Sequence, residues 1–306
     1  MPRRGKAAST PALLAWAAGV LALGLGAGAL LGHLSCERKK PEAPRAETPA
    51  KPTHPRKARP ESPRETPGQT PGEASSAAPP AMIHQEPGLP KLALIIDDLG
   101  YAEPELVQRL CAEPVPFTVA VLPYQEHTVA SADIAHQAGK AVILHLPMEG
   151  IPGKDPGPDA LKYDLPEDEI RARTRKALAD VPFIEGANNH MGSRMTADAT
   201  RMHWILEEFR GRKLYFVDSR TIATTQGWKV AEELRIPTIQ RKVFLDDDKS
   251  FPEIQKQFER AIGLAKKDGE AVAIGHIYPE TVDALEKLIP EAKGQVQFVF
   301  VRELVK

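Results

Sequence analysis

From Lys91 onward the chain alternates short apolar runs with amphipathic stretches. Nearly continuous apolar, β-branched runs at 92–96, 117–122, 141–146, 214–217, 243–245, 271–274 and 296–301 predict strands buried on both faces, with a shorter candidate at 183–184. Helical patterns fill the intervals at 103–110 and 166–178, from Thr196 with Met202, Ile205, Leu206 and Phe209 on one stripe, from Ser250 with Ile254, Phe258 and Ile262, and at 281–288. Strand–helix alternation predicts a parallel sheet with crossover helices. Seven or eight such units in the 216 residues of 91–306 are enough to close a barrel, with an open doubly wound sheet as the alternative.

The first 90 residues follow another pattern. Residues 12–34 carry one polar side chain, His33, and these 23 residues reach about 34 Å as a helix, enough to cross a bilayer core. Arg3, Arg4 and Lys6 precede this run, and Arg38, Lys39 and Lys40 follow it, so the flanking charges nearly balance. The expected organisation is a basic tail over 1–11, a transmembrane anchor over 12–34, a linker over 35–90 and one folded domain over 91–306. The stretch 37–90 holds 13 prolines and no aromatic residue, too little apolar surface to offset chain entropy, so a disordered or polyproline-like tether is expected.

The net charge of −1 hides an asymmetry, with 12 Lys+Arg against 7 Asp+Glu in residues 1–90 and 28 against 34 in 91–306. An acidic domain repels phosphate backbones, which argues against nucleic acid as a partner. The two cysteines, Cys36 and Cys111, show no zinc-finger spacing, and Cys111 reads as a core thiol. There is no dinucleotide-binding, phosphate-loop or nucleophile-elbow motif.

Polar residues concentrate where the predicted strands end. Asp97 and Asp98 close the first; His145 and Glu149 lie at the third; Asn189, His190 and Ser193 follow the fourth; Asp218 ends the fifth; Asp246–Asp248 follow the sixth; His276 ends the seventh. In parallel α/β folds these strand ends converge on one face, which carries the chemistry. One Asp after a strand is commonly a turn former, but unrelated caps would not favour histidine. Asp and His together are oxygen and nitrogen ligands suited to Zn²⁺ or a similar divalent ion. Adjacent Asp97 and Asp98 cannot both face one way on a regular strand, but at a strand end one can bind metal while the other accepts a proton. Asp246–Asp248 read more simply as a turn and cap, and Trp204 and Trp228 as packing.

The ordered set IIDDLG, HLPMEG, NNHMGS, FVDSR and IGH resembles the divergent polysaccharide deacetylases over residues 91–306. The resemblance implies a distorted (β/α) barrel of about seven parallel strands and removal of N-acetyl groups from an envelope polysaccharide or a peptidoglycan-like substrate. It implies Asp97 as base, His276 as acid, and Asp98 and His145 as metal ligands. Glu149 stands where the wider superfamily places a second histidine, and NNHMGS replaces the usual Arg-x-Pro-Tyr segment, so His190 is expected to complete the metal set. Glu149, Asn189, Ser193 and Asp218 are expected to orient substrate or support the ligands. The alternative is a glycan-binding or scaffolding module of the same fold without turnover. Either way, the envelope setting implies an inner-membrane protein with its C-terminal domain in the periplasm.

Overall fold

The computed structural model describes residues 88–306. The expected tail, membrane anchor and most of the linker lie outside these residues. Among the described residues, no helix is long and apolar enough to cross a membrane.

Nine strands form one sheet: β1 (Lys91–Leu99), β2 (Thr118–Val121), β3 (Ala141–Met148), β4 (Ile184–Met191), β5 (Tyr215–Asp218), β6 (Thr238–Gln240), β7 (Val243–Phe244), β8 (Glu270–His276) and β9 (Gln297–Val299). The order is β6-β5-β4-β3-β2-β1-β8-β7, and every paired neighbour is parallel. β9 also runs parallel to β1, pairing with its first three residues, while β2 pairs with the other end from Ile95 on. The crossovers carry α1 (Pro104–Cys111), α2 (Thr128–Gln137), α3 (Glu167–Asp180), α4 (Ala199–Glu207), α5 (Gly227–Glu233), α6 (Phe251–Asp268) and α7 (Pro279–Glu291).

The parallel α/β architecture matches the sequence expectation, but the strand count and closure differ. There are nine strands rather than about seven. The path ends at β6 and β7, which do not pair with each other, so the sheet is a curled half-barrel rather than a closed one. The two end strands are joined by only Arg241 and Lys242.

Strand alternation divides the core into two layers. Leu92, Leu94 and Ile96 of β1, Val142 and Leu144 of β3, and Ala271 and Ala273 of β8 face the helices. Ala93, Ile95, Ile143, Val217, Val272 and Ile274 meet on the concave side. Gly186 of β4 is required there, since a Cβ would come 2.5 Å from the Tyr215 ring. Cys111 is a free thiol buried on α1, and burial pushes it up to about 12, as expected of an inert core group.

Candidate functional site

The concave-side alternation continues into the polar strand ends. On β1 the positions 93, 95 and 97 share a face, so Asp97 follows Ala93 and Ile95; on β3, His145 follows Ile143; on β8, His276 follows Ile274. On β4, Ala187 faces the helices, which turns Asn188 and His190 inward. Asp97 and His276 are paired positions on neighbouring strands, as are His145 and Asn188.

Asp98 breaks the alternation. The β1–β2 register slips between Ile96 and Leu99, and Asp98 adopts φ +66°, a left-handed conformation that non-glycine residues rarely hold. This bulge lets two consecutive carboxylates serve one site. Backbone strain of this kind persists where the surroundings enforce it.

Three donor atoms converge. Asp98 Oδ1 lies 3.2 Å from His145 Nε2 and 3.1 Å from His190 Nδ1, and the two ring nitrogens are 3.1 Å apart. Despite these separations, Asp98 Oδ1 is buried without a well-aligned hydrogen bond. Donors around a tetrahedral zinc, at bonds of about 2.0–2.2 Å, lie roughly 3.3 Å from one another. Lone pairs aimed at a common point rather than at each other are what such a centre requires, so these residues fit a divalent ion. Burial raises the Asp98 carboxyl, but its contacts with His145, when that ring carries a second proton, and with His190 outweigh burial and hold the group below the usual carboxylate range.

Asn188, which the sequence reading did not single out, organises the set. Its Nδ2 donates to Asp97 Oδ1 at 2.8 Å, and its Oδ1 lies 2.6 Å from His145 Nδ1. An amide oxygen only accepts, so His145 carries its proton on Nδ1 and presents the Nε2 lone pair to Asp98 and His190. One side chain therefore sets the histidine tautomer and positions the neighbouring carboxylate. Asp97 is 2% exposed. Burial pushes its carboxyl up, against the opposing influence of His145 and His276.

Asp246 is the second residue the sequence reading undervalued. It is buried and is not a turn acid. Its Oδ1 lies 2.8 Å from His276 Nδ1, and its Oδ2 accepts from the His276 backbone N–H at 2.6 Å and from Thr281 Oγ1 at 2.7 Å. His276 is held with its Nε2 edge free of Asp246, between the rings of Phe244 at 5.9 Å and Tyr278 at 5.4 Å. Burial disfavours charge on this imidazole, but Asp246 outweighs burial and the ring is pushed up to about 9. The signal was the shared strand-end position, hidden in a run of three acids.

The remaining expected residues sit around this centre. Glu149 accepts from the Tyr163 backbone N–H at 2.7 Å and pairs with Arg194, so its carboxylate braces two loops. Asn189 accepts from Ser219 N–H and donates to the Met191 carbonyl, tying β4 to β5. Asp218 accepts from Thr225 Oγ1 and from the backbone N–H groups of Arg220 and Trp228. Ser193 is buried beside Gly150. The structure thus gathers Asp97, Asp98, His145, His190 and His276, and gives Glu149, Asn189 and Asp218 partners that hold the surrounding loops.

The family model described as divergent polysaccharide deacetylase matches residues 94–305. The uncharacterized protein YibQ of Escherichia coli (strain K12) is 40% identical over 215 residues, covering 70% of this chain and 67% of its own length. An uncharacterized protein of Haemophilus influenzae is 33% identical over 209 residues, covering 68% and 74% respectively. Among solved structures, an uncharacterized protein from Agrobacterium tumefaciens C58 shares the fold with a TM-score of 0.68 at 22% identity, over 74% of this chain and 93% of that one.

Proposed function

The chain belongs to the divergent polysaccharide deacetylase family, and from that membership we propose that it is a metal-dependent hydrolase acting on N-acetylated envelope glycan. The observation that carries this reading is the convergence of Asp98, His145 and His190 beside a buried carboxylate and an imidazole held by a buried aspartate. Two imidazole nitrogens and a carboxylate oxygen suit Zn²⁺ and leave a coordination position open. When bound, such an ion supplies Lewis acidity to an amide carbonyl and to water.

The protein groups divide the proton work. Asp97, steadied by Asn188, takes a proton from the attacking water as its oxygen bonds to the acetamide carbonyl carbon. His276 gives a proton to the amine as the carbon–nitrogen bond breaks, releasing acetate and the free amino sugar. Release of acetate from an N-acetylated amino-sugar oligomer tests this reading.

Asp246 keeps His276 protonated at neutral pH. Asp246→Asn removes the charge that outweighs burial, so the ring should fall from about 9 toward 6.5 or below. The alkaline limb of the pH–rate profile is expected to move down with it. A profile unchanged by Asp246→Asn would exclude His276 as the acid. The His276–Asp246 pairing contributes to stability fully below about 6.5 and is lost as pH rises through about 9.

In this reading the apolar run 12–34 anchors the chain in the inner membrane, and the proline-rich linker lets the domain reach glycan on the periplasmic side. Alkaline phosphatase fused after Lys306, which needs an oxidising compartment, is expected to be active. An inactive fusion, with green fluorescent protein glowing at the same place, would put the domain in the cytoplasm.

A further inference from the structure

Tyr101 stands three residues after Asp98 and is 55% exposed. Gly100 makes the turn that brings it there, with φ +112°, and a Cβ at that position would meet the Leu122 carbonyl at 3.1 Å. The chain contains five tyrosines. Tyr215 is buried. Lys176 covers Tyr124, Arg194 and Arg201 cover Tyr163, and Lys249 and His276 cover Tyr278. Among the described residues no ring or cation stacks on Tyr101, so its aromatic face is open beside the candidate centre.

The phenol leans toward a neighbouring loop while its face stays open. Its hydroxyl lies 3.5 Å from the point a Cβ on Gly157 would occupy, in the loop that follows β3. Burial, then the charges of Asp98 and Asp155, hold that hydroxyl above its usual range, consistent with a ring leaning from the site toward this loop. The same loop exposes Ile151 at 71% and borders a cleft of about 440 Å³ lined by Glu149, Ile151, Lys154, Asp155 and Lys162. Small-molecule sites run on the order of 300–1,000 Å³. An open, exposed aromatic face beside a cleft of this size suits the apolar C–H face of a pyranose ring.

We propose that Tyr101 and the loop after β3 form a glycan subsite, with one pyranose unit stacked on the Tyr101 ring and the adjoining unit in the cleft beside Glu149. This rests on the deacetylase reading for its substrate class, though binding can be measured without turnover. The probe is the N-acetylglucosamine tetramer, titrated calorimetrically into the full-length zinc-loaded chain carrying Asp97→Asn, which is expected to bind without consuming it. Adding Tyr101→Ala should weaken binding about tenfold, or about 1.4 kcal/mol. Tyr101→Trp should stay within about threefold, because the stacking face is kept. Zinc content and melting temperature should be unchanged, since Tyr101 is exposed and ligates nothing.

Equal affinity with and without the Tyr101 ring, or no binding of the tetramer by the Asp97→Asn chain, would overturn the subsite. The two ideas separate cleanly. Acetate release by the wild type with KM indifferent to Tyr101→Ala would remove the subsite and keep the deacetylase. Tetramer binding lost with Tyr101→Ala, but no acetate release by the wild type, would keep the subsite and remove the deacetylase.

Discussion

Asp97→Asn is expected to cut acetate release by about 10²–10⁴-fold, the span that a positioned general base contributes, while leaving the domain at least as stable as the parent. The two effects come from the same burial. Asp97 is 2% exposed, and burial raises its proton affinity in the folded chain. For an acid whose folded pKa is raised, stability falls as pH climbs above the ordinary value of 3.8, because the folded state resists the charge that the unfolded state accepts. An asparagine carries no such charge, so at neutral pH the melting temperature should hold or rise. Asn188 can still donate to the new amide oxygen. Turnover assays on the tetramer, paired with thermal unfolding, check both halves. Activity within a few-fold of the parent would remove Asp97 as base, and a large loss of stability would make the activity result uninterpretable as chemistry.

The second large effect concerns the metal. His190→Ala and Asp98→Asn are each expected to lower zinc affinity by more than about 100-fold, since losing even an outer partner of a ligand costs 10–100-fold. Glu149→Ala is expected to leave zinc bound, because that carboxylate is engaged by Tyr163 N–H and Arg194. In the parent, zinc at a hundred times its dissociation constant should add about 2.7 kcal/mol to unfolding free energy, and His190→Ala should lose this gain. Elemental analysis and zinc-dependent melting read the effect directly. Zinc lost with Glu149→Ala but kept with His190→Ala would place the third ligand just after β3 instead of on β4. Acid should also weaken binding: burial disfavours a second proton on His145, but Asp97 and Asp98 outweigh burial and raise its proton affinity, and proton and metal compete for its Nε2.

What could be read in the sequence follows from what each element buries. β1, β3 and β8 are covered on both faces, so their runs are continuously apolar and visible. β4 was visible only at 183–184, because its inward positions are Asn188 and His190 rather than valine or isoleucine. β6 is three residues long, below what any periodicity can mark. α2 buries Ser131, Ala132 and Ala135, small side chains that leave no large apolar stripe. Closure was not legible either, because it depends on whether β6 and β7 pair across the turn that joins them.

The site was legible as a set of strand-end residues but not as a geometry. Alternation assigns Asp97 to the concave side and should send Asp98 away. The register slip that returns Asp98 to the site lies between Ile96 and Leu99 and leaves no mark in composition. Asn188 was masked by its neighbour Asn189, and only strand register separates the amide that bridges Asp97 and His145 from the one that ties β4 to β5. Asp246 looked like the first of three turn acids, because a lone sequence does not reveal which member of such a run is buried against His276.

The most direct test of the central claim is acetate release from the N-acetylglucosamine tetramer by the full-length chain, with zinc supplied and with zinc removed by chelation. The account expects release that depends on zinc, returns when zinc is restored and is lost with Asp97→Asn. Tetramer bound at a stoichiometric zinc site with no acetate released, with zinc or any other divalent ion, would contradict it and leave a glycan-binding module built on a deacetylase fold.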